Sequence, residues 1–292
     1  NSNGFVAAMV NLPASATAQP VRFRWRNVAD TQAAVEGVYI DNVQFINGYT
    51  CSVISAPVKS RADFDGDGKT DLSVFRPSEG NWFLNRSTAG FTAVSFGAAG
   101  DRLAPGDYDG DSKTDIAVFR NGVWFILSSS TSTFSGVGWG LGSDLPVAGD
   151  YDGDGKTDVA VFRPSEGVWY ILNSSNGTFS GVQFGITTDR PVPADYDGDG
   201  RTDIAVYRGG IWFLLQSTAG FLGVSFGLDA DNPVPADYDG DNRDDIAVYR
   251  PDGGVWFWIN SANGQIAAVQ FGQTGDVPVP GDYDGDGRDD QA

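Results

Sequence analysis

Histidine is missing from all 292 residues. A histidine base, a Ser/His/Asp triad and the usual zinc-hydrolase ligand sets are thereby excluded within this sequence. Glutamate occurs only as Glu36, Glu79 and Glu166, and the last two lie in PSEG turns, where an acid is ordinarily solvated. A two-carboxylate hydrolase therefore has few candidates outside the aspartates. Cys51 is the single cysteine and has no partner for an internal disulfide. No apolar run approaches the roughly 18–20 residues of a membrane span, and no charged start with an apolar stretch marks a signal peptide. The 19 Lys and Arg stand against 38 Asp and Glu, a net charge of −19, which argues against nucleic acid or an anionic membrane as partner.

The acids that are present are ordered. Twenty-four of the 35 aspartates occupy positions one, three, five and nine of six nine-residue loops: DFDGDGKTD, DYDGDSKTD, DYDGDGKTD, DYDGDGRTD, DYDGDNRDD and DYDGDGRDD, starting at Asp63, Asp107, Asp150, Asp195, Asp237 and Asp282. The intervals are 44, 43, 45, 42 and 45 residues, the period of propeller blades. Each unit reads as four short strands. In Pro191–Asp231, PVPADY enters the loop, DIAVYR leaves it, and IWFLLQS and FLGVSFG follow across Gly-containing turns. Ile204 and Val206 oppose Ala205 and Tyr207; Ile211, Phe213 and Leu215 oppose Trp212 and Leu214. Both faces are apolar, so each sheet needs a neighbour on both sides, and an all-β propeller of four-stranded blades supplies them. Five complete repeats and the start of a sixth are visible. The pairs Asn176-Gly177 and Asn263-Gly264 predict two-residue type I′ turns between third and fourth strands.

Two columns accompany the strands. Arg76, Arg120, Arg163, Arg208 and Arg250 lie 13 residues after each first loop aspartate, and Trp82, Trp124, Trp169, Trp212 and Trp256 follow six or four positions later. Units close with Phe96-Gly97, Trp139-Gly140, Phe184-Gly185, Phe226-Gly227 and Phe271-Gly272. The tryptophans read either as packing between blades, with the indole bonded locally, or with the arginines as a repeated sugar-binding pair. An intra-blade bond to a carbonyl or carboxylate is the simpler use of the arginines.

Alternate side chains of a tight loop can converge on one hard cation where glycine permits the curvature, and calcium takes six to eight oxygen ligands. The predicted ligands are carboxylates at positions one, three, five and nine and the carbonyl of position seven. They are Asp63, Asp65, Asp67, Asp71 and Lys69 in loop 1; Asp107, Asp109, Asp111, Asp115 and Lys113 in loop 2; Asp150, Asp152, Asp154, Asp158 and Lys156 in loop 3. Loops 4 to 6 supply Asp195, Asp197, Asp199, Asp203 and Arg201; Asp237, Asp239, Asp241, Asp245 and Arg243; and Asp282, Asp284, Asp286, Asp290 and Arg288. One Ca²⁺ per loop, up to six, is expected. An EF-hand is excluded because position twelve of loop 1 is Val74, inside the strand LSVF, where that motif needs a bidentate acid before a helix. Ser112 and Asn242 replace the second loop glycine in two copies and are expected to add strain.

In these loops and aromatic-Gly closures the chain resembles the FG-GAP/VCBS repeat family, bacterial relatives of the integrin alpha-subunit propeller, over about Ser60–Ala292. The resemblance implies a calcium-binding propeller, commonly seven-bladed in an intact parent, used for extracellular adhesion or ligand binding and often appended to secreted enzymes. Residues 1–50 carry no acidic cage. VRFRWRNVADTQAAVEGVYIDNVQFI resembles the last hairpin of a jelly-roll (β-sandwich) domain, with Asp41 as a strand-end aspartate, and residues 51–60 read as the linker into the propeller of residues 61–292. Without an initiating Met, and ending just after the sixth loop, the sequence reads as a segment cut at both ends. The expectation is a non-catalytic, calcium-stabilised binding or adhesion propeller of a larger secreted or cell-surface bacterial protein, contacting an extracellular protein or glycan, with no membrane insertion. A lectin propeller and the non-catalytic part of a secreted hydrolase or peptidase are the alternatives.

Overall fold

The computed structural model describes residues 62–292, and the jelly-roll remnant, the linker, Asp41 and Cys51 lie outside the described residues. Within 62–292 the chain is all β and forms five antiparallel blades of a β-propeller. Blade 1 has three strands, Leu72–Arg76, Asn81–Arg86 and Gly90–Ser95. Blades 2 to 5 are four-stranded meanders in which a short inner strand precedes the acidic loop and three longer strands follow it. In blade 3 the strands are Leu145–Pro146, Val159–Arg163, Val168–Leu172 and Phe179–Gln183, with Trp169 opposite Phe162.

The two-faced pattern is realised residue by residue. Ile204, Val206, Phe213 and Leu215 of blade 4 pack on Phe162, Trp169 and Ile171 of blade 3, while Tyr207, Trp212 and Leu214 on the other face receive Val248 of blade 5. The Trp column is buried at these junctions, and each indole N–H donates to the carbonyl of the aromatic-Gly residue, at 2.8–3.0 Å for Phe96, Trp139, Phe184, Phe226 and Phe271. A tryptophan so enclosed presents no face to a sugar, and the sugar-binding reading of this column is set aside.

The arginines are equally committed. Arg120, Arg163, Arg208 and Arg250 each form a two-pronged pair with Asp101, Asp144, Asp189 and Asp231, which sit at the start of the inner strand of the same blade. Each guanidinium also lies 4.5–5.0 Å from the ring that follows the tryptophan, Phe125, Tyr170, Phe213 or Phe257. Arg76 differs: it pairs with Glu79 on its own turn and stacks on Phe83.

Turn geometry departs from expectation at one place. Positive φ at both residues occurs at Asn121-Gly122 and Gly209-Gly210, between second and third strands, whereas at Asn176-Gly177 and Asn263-Gly264 only the glycine adopts it. There the hairpin closes further out, with Asn173 N–H bonded to Thr178 O and Gly177 N–H to Asn173 O, because the turn is held open by a bond from Ser174 N–H to Asp158.

The acidic loops are joined side by side. The N–H of position eight in one loop donates to the position-one carbonyl of the loop before it: Thr114 to Asp63, Thr157 to Asp107, Thr202 to Asp150, Asp244 to Asp195 and Asp289 to Asp237, at 2.6–2.8 Å. Thr70 N–H then donates to Asp282 O at 2.7 Å. The circuit of these hydrogen bonds therefore closes over the six loops of this chain. Removing one tryptophan from a blade junction tests the packing account. Trp169→Ala should cost about 3–5 kcal/mol in urea unfolding, while Phe179→Ser on the exposed outer strand should change little; a loss below about 1 kcal/mol for Trp169→Ala would contradict it.

Candidate metal centres

Position one shapes each loop before it can bind anything. Its Oδ1 accepts from the N–H of position four and its Oδ2 from that of position six, at 2.6–3.0 Å: Gly66 and Gly68 to Asp63, Gly110 and Ser112 to Asp107, and so on through Gly285 and Gly287 to Asp282. Both donors have positive φ, from 66° to 89°, and Ser112 and Asn242 adopt that backbone despite their side chains. The aromatic at position two fastens the loop to the inner strand, as in Tyr108 O–H to Ala104 O at 2.6 Å and Tyr151 O–H to Val147 O at 2.7 Å.

Position nine ties the loop outward. Its Oδ2 accepts from the N–H of position two, and its Oδ1 from a serine N–H on the turn between third and fourth strands: Ser87 to Asp71, Ser129 to Asp115, Ser174 to Asp158, Ser217 to Asp203 and Ser261 to Asp245, at 2.6–2.7 Å. Position three accepts from the same turn through Oδ2, as Asp65 does from Thr88 and Ala89.

These bonds bring carboxylates together. Oxygens of Asp63, Asp65 and Asp71 lie within 4.8 Å of one another, as do those of Asp107, Asp109 and Asp115, of Asp150, Asp152 and Asp158, and of Asp237, Asp239 and Asp245; in loop 4 the set is Asp195, Asp197 and Asp199. Position five otherwise turns to hydroxyls: Asp67 accepts from Ser87 and Thr88, Asp111 from Ser129, Asp154 from Ser174. Position seven sends its side chain sideways. The stems of Lys113, Lys156, Arg201, Arg243, Arg288 and Lys69 lie over the position-four glycine of the loop before, and Lys69 Nζ reaches Asp284 O at 2.7 Å.

Three buried oxygens in these clusters, Oδ1 of Asp65, Asp197 and Asp239, accept no hydrogen bond. A buried oxygen of an acid normally has a partner. Burial, with Asp197 and Asp195 close by, pushes the Asp203 carboxyl up to about 6; burial and Asp239 do the same at Asp245. Burial also raises Asp107, Asp115, Asp158, Asp195 and Asp237 above the usual carboxylate range. Unsatisfied oxygens and mutually repelling carboxylates in an all-oxygen donor set fit a hard divalent cation, held by positions one, three and nine with positions five and seven beside them. Such an ion supplies a charge-neutralising cross-link between the loop and the outer strands.

Three stretches, residues 63–118, 150–206 and 237–292, match the family described as FG-GAP-like repeat, and together they span more than half of the chain. The chain belongs to the FG-GAP-like repeat family. No curated protein matches it. Among solved structures it is similar to an Agrocybe aegerita lectin that recognises non-reducing terminal N-acetylglucosamine (18% identity, TM-score 0.52, 77% of this chain and 71% of that one). It is also similar to a streptogramin B lyase (11%, 0.52, 77% and 73%) and to a catalytically inactive virginiamycin B lyase from Staphylococcus aureus (8%, 0.50, 78% and 81%). At these identities the likeness is one of fold.

Two columns of these FG-GAP-like repeats escaped the sequence reading. The serines stand 24 or 22 residues after the first loop aspartate, with the same two-residue shift as the tryptophans, and Asp101, Asp144, Asp189, Asp231 and Asp276 follow the closing aromatic by five.

The raised carboxyls set a pH dependence. For Asp203 and Asp245 the unfolded chain loses its proton near 3.8 and the folded chain near 6, so the folded state binds more protons between these values and metal-free stability falls as pH rises through that window. With Ca²⁺ the slope should reverse, because the ion holds the ionised form; chemical denaturation from pH 4 to 7 with and without Ca²⁺ measures both slopes, and parallel curves would refute it. Ser112→Gly should raise stability by about 1 kcal/mol by relieving the left-handed backbone, and Asn242→Gly by less. Urea midpoints report the two values.

Proposed function

We propose that this chain is a calcium-stabilised, non-catalytic binding propeller of a secreted or cell-surface protein, with a protein or glycan as its ligand. The carrying observation is the closed circuit of acidic loops in which the buried Oδ1 atoms of Asp65, Asp197 and Asp239 accept no hydrogen bond while neighbouring carboxylates crowd them. A ring of such clusters resists folding until cations fill it, and shallow loop sites work at about 10⁻⁴ to 10⁻³ M Ca²⁺, which favours a compartment outside the cytoplasm. The raised carboxyls recur from unit to unit with the same bonding, as expected of a structural cage and unlike a single catalytic centre. Among the described residues no helix is long and apolar enough to cross a membrane.

A glycan reading keeps one specific support. Phe91, Phe134, Phe179 and Phe221 recur, exposed, at the outer strand of successive blades and could stack on sugar faces where the buried tryptophans cannot.

A site with free Ca²⁺ at ten times its dissociation constant gains about 1.4 kcal/mol, so several sites together should raise the melting temperature by about 10 °C or more. Scanning calorimetry in EDTA and in about 1 mM Ca²⁺ tests this, and superimposable melting curves would end the calcium reading. A glycan array without signal in Ca²⁺ would leave protein as the ligand class.

A further inference from the structure

The repeat is interrupted between blades 2 and 3. On the face that a blade turns to its successor, the residue four places after the buried tryptophan is Arg86, Asn173, Gln216 or Asn260, but in blade 2 it is Ser128. Across the outer hairpin, blade 4 sets Leu222 opposite Leu214, where blade 2 sets Ser135 opposite Ile126. On the facing side, the strand after the acidic loop opens with Leu72, Ile116, Ile204 and Ile246 in the other blades and with the shorter Val159 in blade 3. These smaller side chains meet at one place, and a cavity of about 330 Å³ lies there.

Its floor is apolar and its rim polar. Ile126 and Val159 are buried and Val137 and Leu172 half-buried, while Ser135 and Gly177 stand exposed at the mouth. The side-chain hydroxyls of Ser135 and Thr157 make no hydrogen bond among the described residues, and Asn173 brings a carboxamide to the same rim. Asp109 and Asp115 border the cavity but are already engaged: Asp109 Oδ2 accepts from the hydroxyls of Ser128 and Ser130, and Asp115 accepts from Ser129 N–H at 2.6 Å and Tyr108 N–H at 2.8 Å. No Lys or Arg lines it.

That lining selects among ligands. An anion would face two carboxylates with no cation to hold it, and a cation would find carboxylates whose oxygens are taken by their own loop and turn. A wholly apolar ligand would strip water from the hydroxyls without replacing it. A neutral ring with a C–H face and a rim of hydroxyls satisfies both halves, and a volume near the lower bound of about 300 Å³ for small-molecule sites suits a single ring better than a chain. We infer that the cleft between blades 2 and 3 binds one neutral sugar residue, its C–H face on Val137, Val159 and Leu172 and its hydroxyls bonded to Ser135, Thr157 and Asn173. This rests on the binding-propeller reading above and gives its glycan branch one defined site, apart from the repeated outer phenylalanines.

The probes are the methyl glycosides of glucose, galactose, mannose and N-acetylglucosamine, with methyl glucuronide as the anionic control, added to the full chain in Ca²⁺ and followed by calorimetric titration and by amide NMR shifts. A neutral glycoside should bind at one per chain, with shifts confined to Ser128–Val137, Thr157–Val159 and Leu172–Gly177, and the glucuronide about tenfold or more weakly. Ser135→Leu, which installs the blade 4 residue, should weaken binding about tenfold or more without lowering the melting temperature. Ser180→Leu, at the same register in blade 3, should leave binding unchanged. Ser128→Gln, the other blade 4 residue, fills the cleft by a second route and keeps the test open if one variant does not fold. No binding of any neutral glycoside, or equal losses from Ser135→Leu and Ser180→Leu, overturns the proposal. So does N-acetyl-leucinamide binding as tightly as the best glycoside, since the cleft would then be a socket for a protein side chain. Melting in EDTA and in Ca²⁺ on the same samples separates the two readings: a calcium-stabilised chain that binds no glycoside loses this site alone, whereas one that binds a glycoside and melts identically in EDTA loses only the calcium reading.

Discussion

A single backbone hydrogen bond, repeated from loop to loop, sets the terms for everything else. By tying the eighth residue of one acidic turn to the first residue of its neighbour, it places six highly charged segments side by side. Two unit charges at 4 Å repel by about 1 kcal/mol in water and by about 4 kcal/mol in a partly shielded site. The chain accepts that repulsion in exchange for a continuous rim, and offsets it by donating backbone N–H groups to the carboxylates. Position one takes two donors from its own loop and position nine takes one from its loop and one from the outer turn, so the loop, the inner strand and the outer hairpin are fixed by the same acids that collect at the centre.

Behind the rim the blades hold one another by complementary faces. A sheet with a Val/Ile face and a Tyr/Trp face cannot be stable alone, and each is buried only because a neighbour presents the other kind. The polar columns orient these faces. The arginine is gripped by an aspartate at the inner strand and lies on an aromatic ring, and the indole closes the blade by bonding to the carbonyl before a glycine. Side chains that looked suited to a ligand are thus consumed in holding the blade.

Much of this was legible in the sequence, because the features repeat with a period. The register of strands, the two-faced alternation in Ile204–Tyr207 and the arrangement of the loops are local, and local spacing encodes them. What stayed hidden depends on contacts between distant residues. The aspartate series from Asp101 to Asp276 went unread, and its purpose appears only once the second strand brings Arg120 beside Asp101. Asn176-Gly177 suggested a two-residue turn because dipeptide preference cannot register the pull of Asp158 on Ser174. The aspartate at position five was expected among the ligands of each cage, and the serine and threonine hydroxyls of the outer turn compete for it. Closure over six loops rests on Thr70 and Asp282, more than two hundred residues apart.

The cationic stem that crosses each loop from its neighbour also acts as a filter on drift among the copies. At position four a methyl group would come within about 3 Å of that stem, and all six copies retain glycine there. At position six, where the glycines have nothing within 4 Å, two copies have already diverged, to Ser112 and Asn242. Tolerance to change is thus apportioned by the adjacent unit and not by the loop's own backbone, since both positions share the same left-handed conformation.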